Sequence, residues 1–342
     1  MKVVKIFVIS LLIILGTITP AYAIKLEKKS ELVEKNIYQD TYLFDDDVPI
    51  WEKGDYWTYS ISDIELTTQQ GEFEIELDIK IDDTMFHVAE VTADNYVVEF
   101  NTEINADFSV GINSVPLKVQ ASTANFPKST INGEIVYDKS TLGIEEINID
   151  IGLKFKLKIL ENPFLSFLSM LSLRVPLDIN LKIEMDNPLE LIDFPVNIFN
   201  IWGIESNEIT ISGEMKSFYF RIVKFADKIA KIFDMEFLPP EIADQLPNID
   251  IGNILEMNGI SNPYNLEEIE NIFIVYDMEE VNVPAGTFDS YRIAPPDGLD
   301  ALVYYHYSPE VGNLVDFEVT DLLYEYYPIP PIKIELVSTG EC

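Results

Sequence analysis

EFEIELDIKI, residues 72–81, sets the reading of this chain. Phe73, Ile75, Leu77, Ile79 and Ile81 share one parity; Glu72, Glu74, Glu76, Asp78 and Lys80 share the other. Side chains alternate between the faces of a strand, so this pattern predicts a strand with one buried and one wetted face. The same beat returns in Tyr96–Phe100, Ile104–Val110, Leu117–Ala121, Ile131–Tyr137, Ile147–Ile159 and Leu177–Met185. Half-wet strands suit an antiparallel sheet wrapped around an apolar interior, not a parallel sheet covered on both faces.

Towards the C-terminus, residues 271–320 hold four apolar-rich runs. They are punctuated by Pro284-Ala285-Gly286, Pro295-Pro296-Asp297-Gly298 and Ser308-Pro309-Glu310-Val311-Gly312. Strand-forming residues between turn-forming clusters predict an antiparallel meander. A Pro-bounded run, Lys333–Val337, adds a last strand at an edge. Towards the N-terminus, Trp51-Glu52-Lys53-Gly54-Asp55-Tyr56-Trp57-Thr58-Tyr59 sets a Gly-Asp turn before an aromatic strand. Its rings serve as a core anchor or as a platform for an aromatic ligand.

Two segments depart from the beat. In Asn162–Arg174, Asn162 can cap a helix starting at Pro163, apolar around most of its circumference. In Lys216–Phe237, Phe218, Ile222, Phe225, Ile229, Ile232 and Phe233 recur at helical spacing opposite Lys224, Lys228 and Lys231. Such a basic face either meets an anionic lipid or neutralises the protein's own carboxylates. A third short helix is expected over 241–246. The expected architecture is therefore mainly β with a helical insertion around 160–265, an α+β fold. In it a curved antiparallel sheet or half-barrel is covered by helices.

Residues 1–23 have a different character. Lys2 and Lys5 precede an apolar run, Ile6–Leu15, and Ala21-Tyr22-Ala23 forms a small-x-small site. This is the pattern of a secretory signal peptide cleaved after Ala23. A polar leader follows over 24–47, then a single domain over 48–342. Cys342 is the one cysteine, so no internal disulfide is expected and stability rests on burial and pairing.

The formal charge is −36, which argues against general nucleic-acid binding. Surplus carboxylates can serve solubility, salt adaptation or surface contacts with calcium. The Asp45-Asp46-Asp47 run lacks the glycine and alternating ligands of a calcium loop. His87 and His306 are the only histidines, and there is no HExxH, CxxC, GxSxG, Walker loop or GxGxxG before a helix. No catalytic residue, metal or cofactor is therefore assigned. His306 and Ser308 share a strand face without an identifiable third partner, and His306 is read as a partly exposed strand histidine.

Three segments carry a resemblance: Trp51–Tyr59, Val283-Pro284-Ala285-Gly286-Thr287-Phe288, and Tyr304–Gly312 with its Tyr-Ser-Pro-Glu-Val-Gly turn. Together they resemble exported archaeal and bacterial β-rich proteins of unassigned role, whose organisation looks like the half-barrels of periplasmic lipoprotein carriers. The resemblance implies a curved sheet around an apolar cavity. The expected function is an extracytoplasmic, non-catalytic binding protein sheltering a lipid or other apolar group, with peripheral membrane contact. Phe73, Ile75, Leu77 and Ile79 would line the sheet side. Phe164, Phe167, Leu168 and Leu171, with Phe218, Ile222, Phe225 and Ile229, would form the lids. The alternative is a structural or adhesive envelope protein making calcium-mediated contacts through its carboxylates.

Overall fold

The structure, a computed structural model, describes residues 48–70, 73–112, 117–123, 128–160, 173–203, 207–218, 220–221, 224, 246–257, 262–266, 272–296, 303–320 and 331–341. Among these residues eighteen strands join one sheet, and each of their pairings is antiparallel. In chain order they are β1 (Asp55–Ile61), β2 (Ile64–Gln70), β3 (Phe73–Ile81), β4 (Thr84–Val91), β5 (Asn95–Ile112), β6 (Leu117–Thr123), β7 (Ser129–Asp138), β8 (Ile144–Leu160) and β9 (Leu173–Leu189). The rest are β10 (Ile201–Gly203), β11 (Asn207–Lys216), β12 (Asn248–Asp250), β13 (Tyr264–Leu266), β14 (Ile272–Val283), β15 (Gly286–Ala294), β16 (Val303–Ser308), β17 (Asn313–Val319) and β18 (Ile332–Glu341). One short helix, α1 (Ile251–Met257), follows β12.

Hydrogen bonds lead from β10 through β14, β15, β16, β17, β18, β1 and β4 to β5, then through β7, β8 and β9 to β11. β5 is long enough to serve two neighbourhoods. Its first half lies between β4 and β7, and its second between β3 and β6. Buried residues from both ends of the sheet share one cluster. Ile209 and Ile211 of β11, Ile147 and Ile149 of β8, and Phe273 and Val275 of β14 all belong to it. The sheet therefore curves around a common interior, as expected of strands whose alternate side chains are apolar.

The α+β expectation is overturned. The described residues are nearly all β, 73% strand against 4% helix, and among them no layer of helices covers the sheet. Within the expected helical insertion, β9, β10, β11, β12 and β13 are strands. β11 escaped the sequence reading because Gly213 interrupts its inward series of Asn207, Ile209, Ile211 and Met215. The gap is steric: a Cβ on Gly213 would sit 2.1 Å from the Asn180 carbonyl oxygen of β9. The first expected helix lies outside the described residues except for Leu173 and Arg174, which begin β9. The second begins only after β11 ends at Lys216. Phe218, Phe220, Arg221 and Lys224 are helical, and the remainder lies outside the described residues. The signal pattern, the polar leader and most of the third short helix also lie outside them.

The end of β9 and the chain from it to β10 turn into the interior. Leu189 and Val196 are buried at 1% and 0% exposure, and Leu191, Ile192 and Phe194 pack against the main cluster. The Tyr305 hydroxyl of β16 donates to the Leu191 carbonyl at 2.5 Å, and Phe194 meets Tyr307 edge-on at 5.5 Å. This apolar strap links the long-stranded half to the meander.

The two predicted runs Tyr96–Phe100 and Ile104–Val110 are a single strand, β5. Thr102 takes the inward position between them, 6% exposed, and its hydroxyl donates to the Asp82 carbonyl at 2.9 Å. A satisfied hydroxyl occupies a core slot at little cost, so the strand does not break there.

Candidate functional site

The three segments that carried the resemblance meet in space. Trp51, Trp57, Tyr96, Val98, Val283, Val315 and Leu336 form a second buried cluster, with Ala285, Phe288 and Val311 against it. The turn between β16 and β17 caps this cluster from the solvent side. Trp51 Nε1 donates to the Gly312 carbonyl at 3.0 Å, Trp57 Nε1 to the Val311 carbonyl at 3.3 Å, and the Tyr59 hydroxyl to the Leu314 carbonyl at 2.8 Å. Each aromatic thus buries its ring and ties its polar end to this turn or, for Tyr59, to the start of β17. Gly312 has φ +65°, which glycine adopts without strain, and a Cβ there would press on Pro49 at 3.3 Å, so glycine suits the close approach of this turn to Trp51. Ring centroids of Trp51 lie 4.8 Å from Trp57, 5.3 Å from Tyr96 and 5.2 Å from Tyr137.

Beneath this aromatic box is a cavity of about 100 Å3. Its wall runs from Trp57 and Tyr59 through Phe86 and Ile135 to Tyr137 and Phe317, with Asn313 and Asp316 among its few polar contributors. It lies between β1, β4, β5, β7, β17 and β18, where the two halves of the sheet face each other. Desolvation in this wall raises the Tyr59 and Tyr137 pKa values well above the ordinary phenol value, and Tyr137 adds to the effect on Tyr59. Both hydroxyls therefore stay neutral. What the wall offers a guest is aromatic and aliphatic surface.

The expected lining residues are dispersed. Leu77 and Ile79 are buried at 7% and 3% in the main cluster and do not border the aromatic cavity. Phe73 and Ile75 share their strand, β3. Phe218 is 63% exposed. Phe164, Phe167, Leu168, Leu171, Ile222, Phe225 and Ile229 lie outside the described residues. Sequence reading did single out Trp51–Tyr59 as core anchor or platform. It missed Phe86, Ile135, Tyr137 and Phe317 as neighbours of that stretch. Only cross-strand register could have placed them, for example Trp57 opposite Phe86 and Phe86 opposite Phe100.

On the other face of the meander, His306 is 5% exposed, not the partly exposed histidine expected. Its Nδ1 lies 2.5 Å from an Asp316 carboxylate oxygen and its Nε2 2.8 Å from Glu279. Burial pulls its pKa down, but the hydrogen bonds and charges of Asp316 and Glu279 outweigh burial and hold it above the ordinary histidine value. Both ring nitrogens are engaged. Ser308 donates to the Asp289 carbonyl at 3.0 Å and is not offered to His306. The group is a cross-link between β14, β16 and β17 without the geometry of a base and nucleophile. Among the described residues no group of three or more His, Cys, Asp or Glu could hold a metal ion, and no helix is long and apolar enough to cross a membrane.

No protein-family model matches the chain, and comparison with curated proteins and with solved structures found no match.

Proposed function

We propose that this protein is a non-catalytic binding protein that shelters an apolar group in the cavity under Trp51 and Trp57, and that it acts outside the cytoplasm. The observation that carries the reading is an aromatic-lined cavity of about 100 Å3, partly open to solvent, between the facing halves of the sheet. Apolar voids of this order stay dry and accept small apolar guests; one of about 150 Å3 admits benzene. The void suits the end of an acyl chain or a single small ring, with the rest of the ligand outside. The basic, apolar and Ala-Tyr-Ala sections of residues 1–23 support export.

Uptake of cis-parinaric acid, a fluorescent fatty acid, tests the reading. The unaltered protein should enhance its emission, and Ile135→Phe, which fills the void from its wall, should weaken binding by about tenfold, the worth of one well-buried contact. Val98→Leu should give a smaller loss. No uptake by the unaltered protein, or equal uptake by both variants while they remain folded, overturns the reading.

A further inference from the structure

The strap between β9 and β10 has a second face. Residues 194–203 read FPVNIFNIWG, ten residues without a charge in a chain that is 24% charged. Inward, Val196 and Trp202 are buried at 0% and 8%. Outward, Ile198, Phe199 and Ile201 are exposed at 44%, 60% and 57%, beside Ile272 at 38%. The Asn200 N–H donates to the Asn197 carbonyl at 2.9 Å, closing a turn with Ile198 and Phe199 at its centre. Phe199 has φ +68°, the left-handed region that such a turn normally gives to glycine or asparagine. Two bonds hold it there: the Phe199 N–H to the Val275 carbonyl at 2.7 Å, and the Val275 N–H to the Asn200 carbonyl at 3.0 Å. A bulky residue in an unfavourable backbone region, its ring turned to solvent, is a conformation that the fold's own stability does not ask for.

We infer that the Asn197–Asn200 turn, with Ile201 and Ile272 beside it, is a docking tip for the interface of a zwitterionic lipid bilayer. Three observations choose this occupant. The tip carries no charge, and the Asp193 carboxylate beside it accepts a hydrogen bond from the Asn200 side chain at 3.0 Å. The patch is four large apolar side chains, Ile198 and Phe199 of the turn with Ile201 of β10 and Ile272 of β14, small beside the roughly 1,200 Å2 that a specific protein–protein contact buries. Shallow insertion of a few aromatic and aliphatic side chains is enough for reversible attachment to a bilayer. The formal charge of −36 repels an anionic surface, so neutral headgroups are the ones that fit. The tip is separate from the aromatic cavity and does not depend on what the cavity holds.

Flotation with phosphatidylcholine vesicles tests it, with Phe199→Gly as the decisive variant. Glycine suits the backbone at this position, so the melting temperature should hold or rise, while the vesicle-bound fraction should fall by about tenfold. Ile198→Asp should lower it at least as far, and phosphatidylserine in the vesicles should weaken attachment of the unaltered protein. Each protein is compared in the exported form expected after cleavage at Ala23, so the apolar run of residues 6–15 does not mask the turn. Equal flotation of unaltered protein and Phe199→Gly overturns the inference, as does absence of flotation. Sedimentation that shows a dimer lost on Phe199→Gly would assign the patch to a second copy and overturn it as well. Fatty-acid uptake measured on the same variants should be unchanged, which separates failure at the tip from failure at the cavity.

Discussion

His306 joins three strands through two hydrogen bonds, and the arrangement has a pH signature. Its folded pKa stands above the ordinary value of 6.5, so the folded state holds the proton more tightly than the unfolded chain. The stabilisation is fully present below the unfolded pKa and is lost as pH rises through the folded value. The charged and polar groups on this face are Asp277 and Glu279 of β14, Arg292 of β15, Tyr304 of β16, Asp316 and Glu318 of β17, and Lys333 and Glu335 of β18. Arg292 lies over the Tyr304 ring at 5.0 Å, and Tyr304 donates to Glu318 at 2.5 Å, so these neighbours are engaged elsewhere. Melting temperature should therefore decline as pH rises above neutrality. His306→Gln should flatten that decline and cost about 3 kcal/mol in acid, because Asp316 is left buried without its cation. Thermal melts over a pH series, compared between the two proteins, check both outcomes.

Among the elements, β5 and β7 show how one side chain completes its neighbour's strand. Inward positions of β7 run Ile131, Gly133, Ile135, and the gap at Gly133 is filled by Phe100 directly across in β5. A Cβ on Gly133 would fall 2.2 Å from the Phe100 ring. Gly133→Ala should therefore cost about 1–3 kcal/mol by overpacking, and Phe100→Leu combined with it should recover part of the loss. Denaturant titration of both variants measures it. The alternation that defines β3, β5, β7, β8 and β9 was legible in the sequence because each strand carries its own pattern of burial. The meander was legible through its turn residues. β11 was not legible, since its register against β9 depends on a glycine whose reason lies in the opposite strand. Nor was the convergence of Trp51, Trp57 and Tyr59 on the turn at Val311 to Leu314. Those hydrogen bonds span 261, 254 and 255 residues, and no local pattern encodes a partner at such distance. The strap was likewise invisible: it has neither period, and it looks like a loop until the interior it fills is known.

At the scale of the molecule, charge is the dominant surface property. Neighbouring strands present Glu99 opposite Glu134, and Asp150 opposite Asn180, itself opposite Glu214. Part of this is relieved by hydrogen bonds, as from Asn180 to Asp150, and by lysines such as Lys182, which lies 3.0 Å from Glu146 and 2.9 Å from Glu184. With a formal charge of −36, most of the repulsion is left to the solvent to screen. Raising sodium chloride from about 0.02 M to 0.5 M should raise the melting temperature by several degrees, as the Debye length shortens from roughly 20 Å to under 5 Å. Calcium chloride at matched ionic strength should add nothing further. A larger shift with calcium would favour the adhesive reading, in which the carboxylates hold the ion.

β1 lies between β18 and β4, with Asp55 opposite Glu341 and Tyr56 opposite His87. β1 is thus completed on one side by a strand that lies far along the chain. While the chain is being synthesised, Trp51 and Trp57 have no Gly312 or Val311 to bond, and one edge of β1 is left without its neighbour. Closure of the sheet at β1 must wait for β18, and the apolar side of β1 stays uncovered in the meantime. A chain built this way is kept threadable until β18 emerges, and this seam locks only then.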